Sequence, residues 1–404
     1  MSNEITRRDA VRRIALGGAG ITMGVGIWGC GSDDEGTGGG GGTSDEPIKI
    51  GVLTDLTGAL GVVGKANVAV ARFTVDEINS AGGVLGRKLE VVVVDGASDP
   101  AVNARVAGQL VTRDKVDVVI GGITSAEREA VKNIITKRGK TLYLWAASYE
   151  GDECGENIWS SGPVPNQQVD PTVDYLLEGG AKTFFLCGND YIYPRNILKA
   201  ARARIEAGGG KVLGEEYIPL SATDAPELVT KVLSSKADAL FEVIVLPSTV
   251  PFIRGVVDGG FEGKIAGTLF DESIIPLIGK QAQGLIGVQD YFLSVEDPFS
   301  SEKVAAFKKR YPDLVFGPTF NSPAWYRALH LWALAAEKAK SVATKDVDAA
   351  MDGISSDELI GGPARFVPGT RHCELAMYLG EMQADGTVKV LKDLGRLQPE
   401  GQCA

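Results

Sequence analysis

Short runs of aliphatic and β-branched residues alternate with segments of helical periodicity from Pro47 onward, and this alternation constrains the fold more than any other feature. Residues 48–53 read as a strand and 62–78 as a helix. Residues 89–95 (LEVVVVD) form a near-continuous β-branched run, the pattern of a strand buried on both faces of a parallel sheet. Asp99 and Pro100 open a helix through 113, because Asp accepts first-turn amides and Pro needs no N–H partner there. Residues 116–120 and 141–145 read as strands, with Ser125 capping a helix to about 137 between them. A second series follows, with strands at 183–187, 211–218, 239–245 and 264–269 and helices at 194–207, 227–234 and 249–259. Strands alternating with helices are βαβ units. The expected fold is therefore α/β, with two lobes that are each a doubly wound parallel sheet. Residues 375–379 and 388–391 add strands to the second lobe. A chain of 404 residues has room for two or three cores of ordinary size.

The first thirty residues read as an address. Arg7, Arg8, Arg12 and Arg13 precede an uncharged run at 14–28, too short for the roughly 20 apolar residues that span a bilayer. A basic stretch, a short apolar stretch and small residues describe an export signal over 1–29. Thr6-Arg7-Arg8-Asp9-Ala10-Val11-Arg12 resembles a twin-arginine signal, without the usual aromatic residue two positions on, so the general secretory route stays open. Ile27-Trp28-Gly29-Cys30 resembles the lipobox of bacterial lipoproteins, with Cys30 as the lipidated first residue of the mature chain. Residues 31–46 (GSDDEGTGGGGGTSDE) hold no large apolar side chain and read as a flexible tether, so the anchor and its spacer form one unit over 30–46. Gly24-Val25-Gly26-Ile27-Trp28-Gly29 fits a dinucleotide-binding fingerprint but follows no strand, so it carries no such reading.

Net charge narrows the function classes. At −11, with no basic stripe, the chain is a poor partner for nucleic acid. Its two histidines, His330 and His372, have no cysteine or carboxylate at ligand spacing, which argues against a metal site or a histidine-based catalytic centre. No cofactor is expected.

In open parallel sheets ligands bind beyond the carboxyl ends of the strands. That rule selects the loops at 54–61, 121–126, 145–151, 187–195, 246–249 and 269–273. The run Asp76-Glu77-Ile78-Asn79-Ser80-Ala81-Gly82-Gly83-Val84-Leu85-Gly86-Arg87-Lys88-Leu89-Glu90, followed by Asp99-Pro100, resembles the type I periplasmic binding proteins of ABC transporters, including the branched-chain amino acid receptors. Tyr149-Glu150-Gly151, Asn157-Ile158, Gly162-Pro163 and Pro165-Asn166-Gln167-Gln168 resemble the amide- and urea-binding branch. So does Gly188-Asn189-Asp190-Tyr191-Ile192-Tyr193-Pro194-Arg195. The resemblance spans nearly all of 47–400. It implies a non-enzymatic receptor that hands a small polar organic ligand to an ABC permease; together with the lipobox, the expectation is a monomer or weak dimer at the periplasm or cell surface, tethered through Cys30.

Seven residues are the candidate ligand contacts. Thr124 and Ser125 follow a Gly-Gly turn where free amides and a hydroxyl can hold a carbonyl or carboxylate oxygen, although Ser125 could simply cap its helix. The resemblance puts an aromatic at Trp145, with Ala147 and Ser148 beside it offering backbone groups; the bland reading of Trp145 is a core residue. An Ala-Ala-Ser stretch stands there in place of bulkier residues and leaves room for a larger ligand. Tyr191 would close over the ligand from the second lobe, while Tyr193-Pro194 fixes a turn. Asp271 would meet a ligand ammonium or else cap a helix.

The chain should cross between lobes near 166–168, 287–294 and 361–366. Lobe 1 is then 47–165 plus 293–362 and lobe 2 is 166–292 plus 363–404. Cys373–Cys403 is a conceivable disulfide, and Cys187 in an apolar strand reads as a buried free thiol. Two rivals share the observations: a ligand sensor of the same fold, and an exported hydrolase. The second has no G-x-S-x-G elbow and no histidine in the six selected loops.

Overall fold

The computed structural model describes residues 46–314 and 317–403. The expectations for the export signal, Cys30 and the tether before Glu46 lie outside the described residues. The described residues form one compact unit built on two sheets.

The smaller sheet has the order β2-β1-β3-β4-β5 and is parallel throughout. Its strands are β1 (Ile48–Thr54), β2 (Leu89–Asp95), β3 (Val118–Gly121), β4 (Leu142–Trp145) and β5 (Ile158–Ser160). Helices α1 (Gly61–Ser80), α2 (Pro100–Gln109) and α3 (Ser125–Asn133) cross between the first four. Ile48, Ile50 and Val52 of β1, which has a neighbour on each side, are completely buried, whereas Val91, Val92 and Val93 of β2 are only half-buried. The LEVVVVD run thus forms an edge strand rather than one covered on both faces. A run of valines satisfies the pleat in either place, and only pairing decides which.

The larger sheet follows α4 (Pro165–Glu178). It is built from β6 (Thr183–Asn189), β7 (Lys211–Ile218), β8 (Ala239–Val243), β9 (Lys264–Gly267) and β10 (Ile286–Gln289), connected through α5 (Ile192–Ala207), α6 (Pro226–Ser235), α7 (Thr249–Asp258) and α8 (Ile275–Ile278). Its order is β11-β12-β13-β10-β9-β8-β6-β7, with a last strand, β14, paired to β13. Strands β6 to β10 run parallel, and the antiparallel β13 closes that core on β10. The added strands are β11 (Ser355–Ser356), β12 (Ala364–Phe366), β13 (Cys373–Met382) and β14 (Val388–Leu397). Before them α9 (Pro298–Arg310), α10 (Ser322–Ala339) and α11 (Thr344–Met351) return to the first sheet, and α10 packs against α1.

Two of the three passages between sheets are fixed by buried polar groups. Gln167 and Gln168 in the first turn of α4 donate to the Cys373 and Val288 carbonyls, both at 2.9 Å, which hooks that helix onto the larger sheet. Arg327 of α10 is fully buried, pairs with Asp290 just beyond β10, and donates to the Ser161 carbonyl just beyond β5 at 3.1 Å. On the third passage β11 already pairs with β12, so the chain reaches the larger sheet before the expected 361–366.

The disulfide differs from the pairing conceived from sequence. Cys403 bonds to Cys154, 249 positions earlier, and Cys373 is a buried free thiol at the start of β13. The C-terminal tail folds back over the loop between β4 and β5. There Gln402 accepts the Asp152 amide at 2.6 Å and Asn166 accepts the Glu400 amide at 3.1 Å, which carries Cys403 to Cys154 and away from Cys373. Cys187 is buried and free, as its apolar strand suggested.

Candidate functional site

Both sheets reverse their winding once, the smaller between β1 and β3 and the larger between β6 and β8. At such switch points the loops diverge and leave a crevice. The two crevices face each other across a cavity that, with its open mouth included, holds about 710 Å3 of non-atom space. Every one of the six loops chosen from sequence contributes to its wall. From the smaller sheet come Leu60, Ile123, Thr124, Ser125, Ala147 and Ser148; from the larger come Tyr191, Leu246, Thr249 and Leu269.

The turn after β3 decides where Thr124 and Ser125 stand. Gly121 adopts φ +136°, and a Cβ there would lie 1.8 Å from the Leu53 carbonyl oxygen. Only glycine lets β3 end so close to β1. The N-cap of α3 is Thr124, one residue before the expected Ser125: its hydroxyl accepts the Glu127 amide at 3.3 Å, and Glu127 Oε2 returns to accept the amides of Ile123 and Thr124 at 2.7 and 3.1 Å. Burial, then Asp55 nearby, pushes Glu127 up to about 8. Ser125 is thereby freed from capping. Its hydroxyl donates to Glu150 at 2.5 Å and accepts from Arg128 Nη1 at 3.3 Å.

Trp145 is completely buried and lies one layer behind the wall. A Cβ on Gly122 would meet its ring at 2.7 Å, and the Arg128 guanidinium sits 5.2 Å from its ring centroid and 4.8 Å from that of Tyr149. The indole therefore supports the Gly122 turn and Arg128 from behind, while Ala147 and Ser148 two and three residues on reach the wall itself.

On the opposite side Tyr191 precedes α5, and its ring lies 6.4 Å from that of Tyr193, whose hydroxyl bonds Thr268 at 2.9 Å. Tyr193 also lines the cavity, beyond the turn-forming part assigned to it from sequence. Asp271 does not reach the wall. It is completely buried, and its carboxylate accepts the amide and the hydroxyl of Ser273. Burial raises its pKa against those hydrogen bonds.

Of the residues that sequence reasoning missed, Val63 and Ile274 sit on helix starts just past the selected loops. Ile244 and Val245 continue β8, in a stretch read as strand. Phe320 and Asn321 come from a segment that carried no signal, because their approach to the cavity depends on α10 docking against α1. Val63 and Ala66 pack with Leu246 and Leu277, so the two sets of loops meet in an apolar contact. Among the described residues no Lys, Arg, His, Asp or Glu lines this cavity.

Glu242 at the end of β8 lies beneath Ile244 and Thr249, completely buried. It accepts the Ile244 amide at 2.6 Å, yet burial raises it to about 8 from an ordinary 4.5. The folded protein keeps this proton where an unfolded chain has lost it. The stabilisation is present below pH 4.5 and is lost as pH rises toward 8, by at most about 1.4 kcal/mol per pH unit. Glu127 and Glu272 carry the same sign. Glu242→Gln should remove one group's share of the slope between pH 5 and 8 in urea unfolding, and an unchanged slope would mean that Glu242 is ionised when folded.

Residues 47–387 match the family described as periplasmic binding protein. Among curated relatives, the Leu/Ile/Val-binding protein homolog 6 of Brucella suis biovar 1 (strain 1330) is 23% identical over 370 residues, covering 88% of this chain and 92% of that protein. Among solved structures, a solute binding protein of an ABC transporter from Rhodopseudomonas palustris HaA2, in complex with p-hydroxybenzoic acid, superimposes with TM-score 0.80 at 24% identity over 88% of this chain and 98% of that one. A branched-chain amino acid transporter substrate binding protein from Streptococcus pneumoniae, in complex with isoleucine, gives 0.76 at 23%, over 87% and 100%.

Proposed function

The chain belongs to the periplasmic binding protein family, and from that premise we propose that it is the extracytoplasmic solute receptor of an ABC importer, held to the membrane through a lipidated Cys30. The observation that carries this reading is the cavity where the switch points of both sheets meet, walled by all six carboxyl-end loops. The two lobes, each built on one sheet, close on the ligand about the three passages between them.

Leu60, Val63, Ile123, Ile244, Leu246, Ile274 and Phe320 make most of the wall apolar, with Thr124, Ser125, Ser148, Thr249, Tyr191 and Asn321 as its polar points. Such a lining suits an amide-like or amino-acid-like solute with an apolar body better than bare urea, which would leave the aliphatic wall uncovered. The ligands named for the structural neighbours, p-hydroxybenzoic acid and isoleucine, share that division into polar head and apolar body. The solute is released unchanged, since the wall offers no paired acid and base.

A thermal-shift screen with amides, ureas, amino acids and small carboxylates tests this. A ligand at 100 times its dissociation constant should add about 2.7 kcal/mol of stability. Tyr191→Ala should weaken the best hit by roughly tenfold, about 1.4 kcal/mol of lost contact. No shift from any class, or turnover of a bound solute seen by NMR, would defeat the reading.

A further inference from the structure

We propose that Glu150, clamped by Arg128, fixes the direction of the Ser125 hydroxyl so that the cavity selects solutes offering an N–H or O–H donor there over the corresponding carboxylates. The inference rests on the small-solute reading above and names the polarity of its head.

Three groups meet behind the Thr124–Ser125 wall. Glu150 Oε1 takes Arg128 Nη2 at 2.6 Å, and Glu150 Oε2 takes the Ser125 hydroxyl at 2.5 Å. Arg128 Nη1 donates to the same Ser125 oxygen at 3.3 Å. A guanidinium has no acceptor and a carboxylate no donor, so this triangle closes in one sense only. The single hydroxyl hydrogen of Ser125 points at Glu150, and one of its two lone pairs faces Arg128. What remains for the cavity is one lone pair, an acceptor.

The triangle cannot easily turn over. The side chains of Arg128 and Glu150 are 3% and 6% exposed. The guanidinium lies over Trp145 and Tyr149, with Glu153 3.7 Å from its Nε. Burial alone would lower Arg128, but Glu150 beside it raises it. Neither side chain lines the cavity, so Arg128 is not offered to a ligand anion.

The surroundings agree with an acceptor at this point. Glu127 already occupies the amides of Ile123 and Thr124, which removes two of the donors that a ligand carboxylate would find at this turn. A carboxylate oxygen set against the Ser125 hydroxyl would face a lone pair and find no donor there. An amide N–H, an ammonium or a hydroxyl would complete the chain of hydrogen bonds instead. Glu150 acts through Ser125, and is a positioning residue.

The test is a comparison of matched pairs, benzamide with benzoate and isovaleramide with isovalerate, by calorimetry on the full protein and on Glu150→Gln. The wild type should bind the amide of a pair at least about tenfold tighter, the value of one hydrogen bond made against one opposed. Glu150→Gln places an amide N–H toward Ser125 and releases the hydroxyl hydrogen to the cavity, so the ratio should fall below about threefold. A merely structural part for Glu150 would weaken both members alike and leave the ratio unmoved, which would overturn the proposal, as would a wild-type preference for the carboxylates. Should Glu150→Gln fail to fold, Ser125→Ala carries the test: it should erase the preference, and an unchanged ratio would again overturn it. Silence from both members of every pair is a different pattern, one that overturns the small-solute reading and this inference with it.

Discussion

Replacing Asp290 with alanine is expected to destabilise the protein by about 3–5 kcal/mol, because it leaves the Arg327 guanidinium buried without its counter-charge. The two side chains are 4% and 1% exposed, so water cannot substitute for the lost carboxylate. The pair joins α10, which packs on helix α1 on the smaller sheet's side, to the residue that follows β10 in the larger sheet. Arg327 also holds the Ser161 carbonyl at 3.1 Å, and the Ser161 hydroxyl donates to the Ala324 carbonyl at 2.9 Å. One guanidinium therefore ties two of the three passages between sheets. Urea unfolding of Asp290→Ala measures the cost. Combining it with Arg327→Met should recover much of the loss, since a buried pair replaced by apolar groups is often neutral. A single-variant loss below 1 kcal/mol would mean that water reaches the guanidinium in solution.

Breaking the Cys154–Cys403 bridge should cost about as much by a different route. With its ends 249 positions apart, the bridge removes chain entropy from the unfolded state worth about 5.5 kcal/mol in the loop-closure description. The native contacts of the tail survive its loss, among them Asp152 with Gln402 and Asn166 with the Gln398 carbonyl. The fold should accordingly remain while the unfolding midpoint falls. Cys403→Ser and the reduced wild type should show equal losses. If the variant alone is destabilised, the effect belongs to the serine; if neither is, the unfolded chain is already compact around this loop. The tail lies on the loop that carries Glu150, so the same samples should report whether the amide-to-carboxylate ratio survives without the bridge.

Much of the fold was legible because helix and strand periods are local properties of the chain. β1, β6 and β8 announce themselves as apolar runs, and α2 by its Asp99-Pro100 start, where Asp99 does accept the amides of Ala101 and Val102. The six loops followed from the order of elements alone. Less was legible where one pattern serves two environments. LEVVVVD fits an edge as well as a centre, and Ser125 beside Thr124 offers two caps of equal chemistry. The structure gives the cap to Thr124 because Glu127 three residues later completes a reciprocal pair with it.

Side-chain direction was harder still. Trp145 and Asp271 lie on the correct strands and loops but face backwards, one onto Arg128 and the other onto Ser273. Phe320 and Asn321 reach the wall only because α10 docks on α1. By itself the sequence determined the class of fold, the six loops and the family, since these depend on periodicity and local strings. Tertiary structure alone decided which residues of those loops face the cavity, that Cys403 finds Cys154, and that the Ser125 hydroxyl is turned toward Glu150. Those outcomes join residues from 25 to 249 positions apart, and nothing in a local pattern encodes which distant group packing will bring within a hydrogen bond.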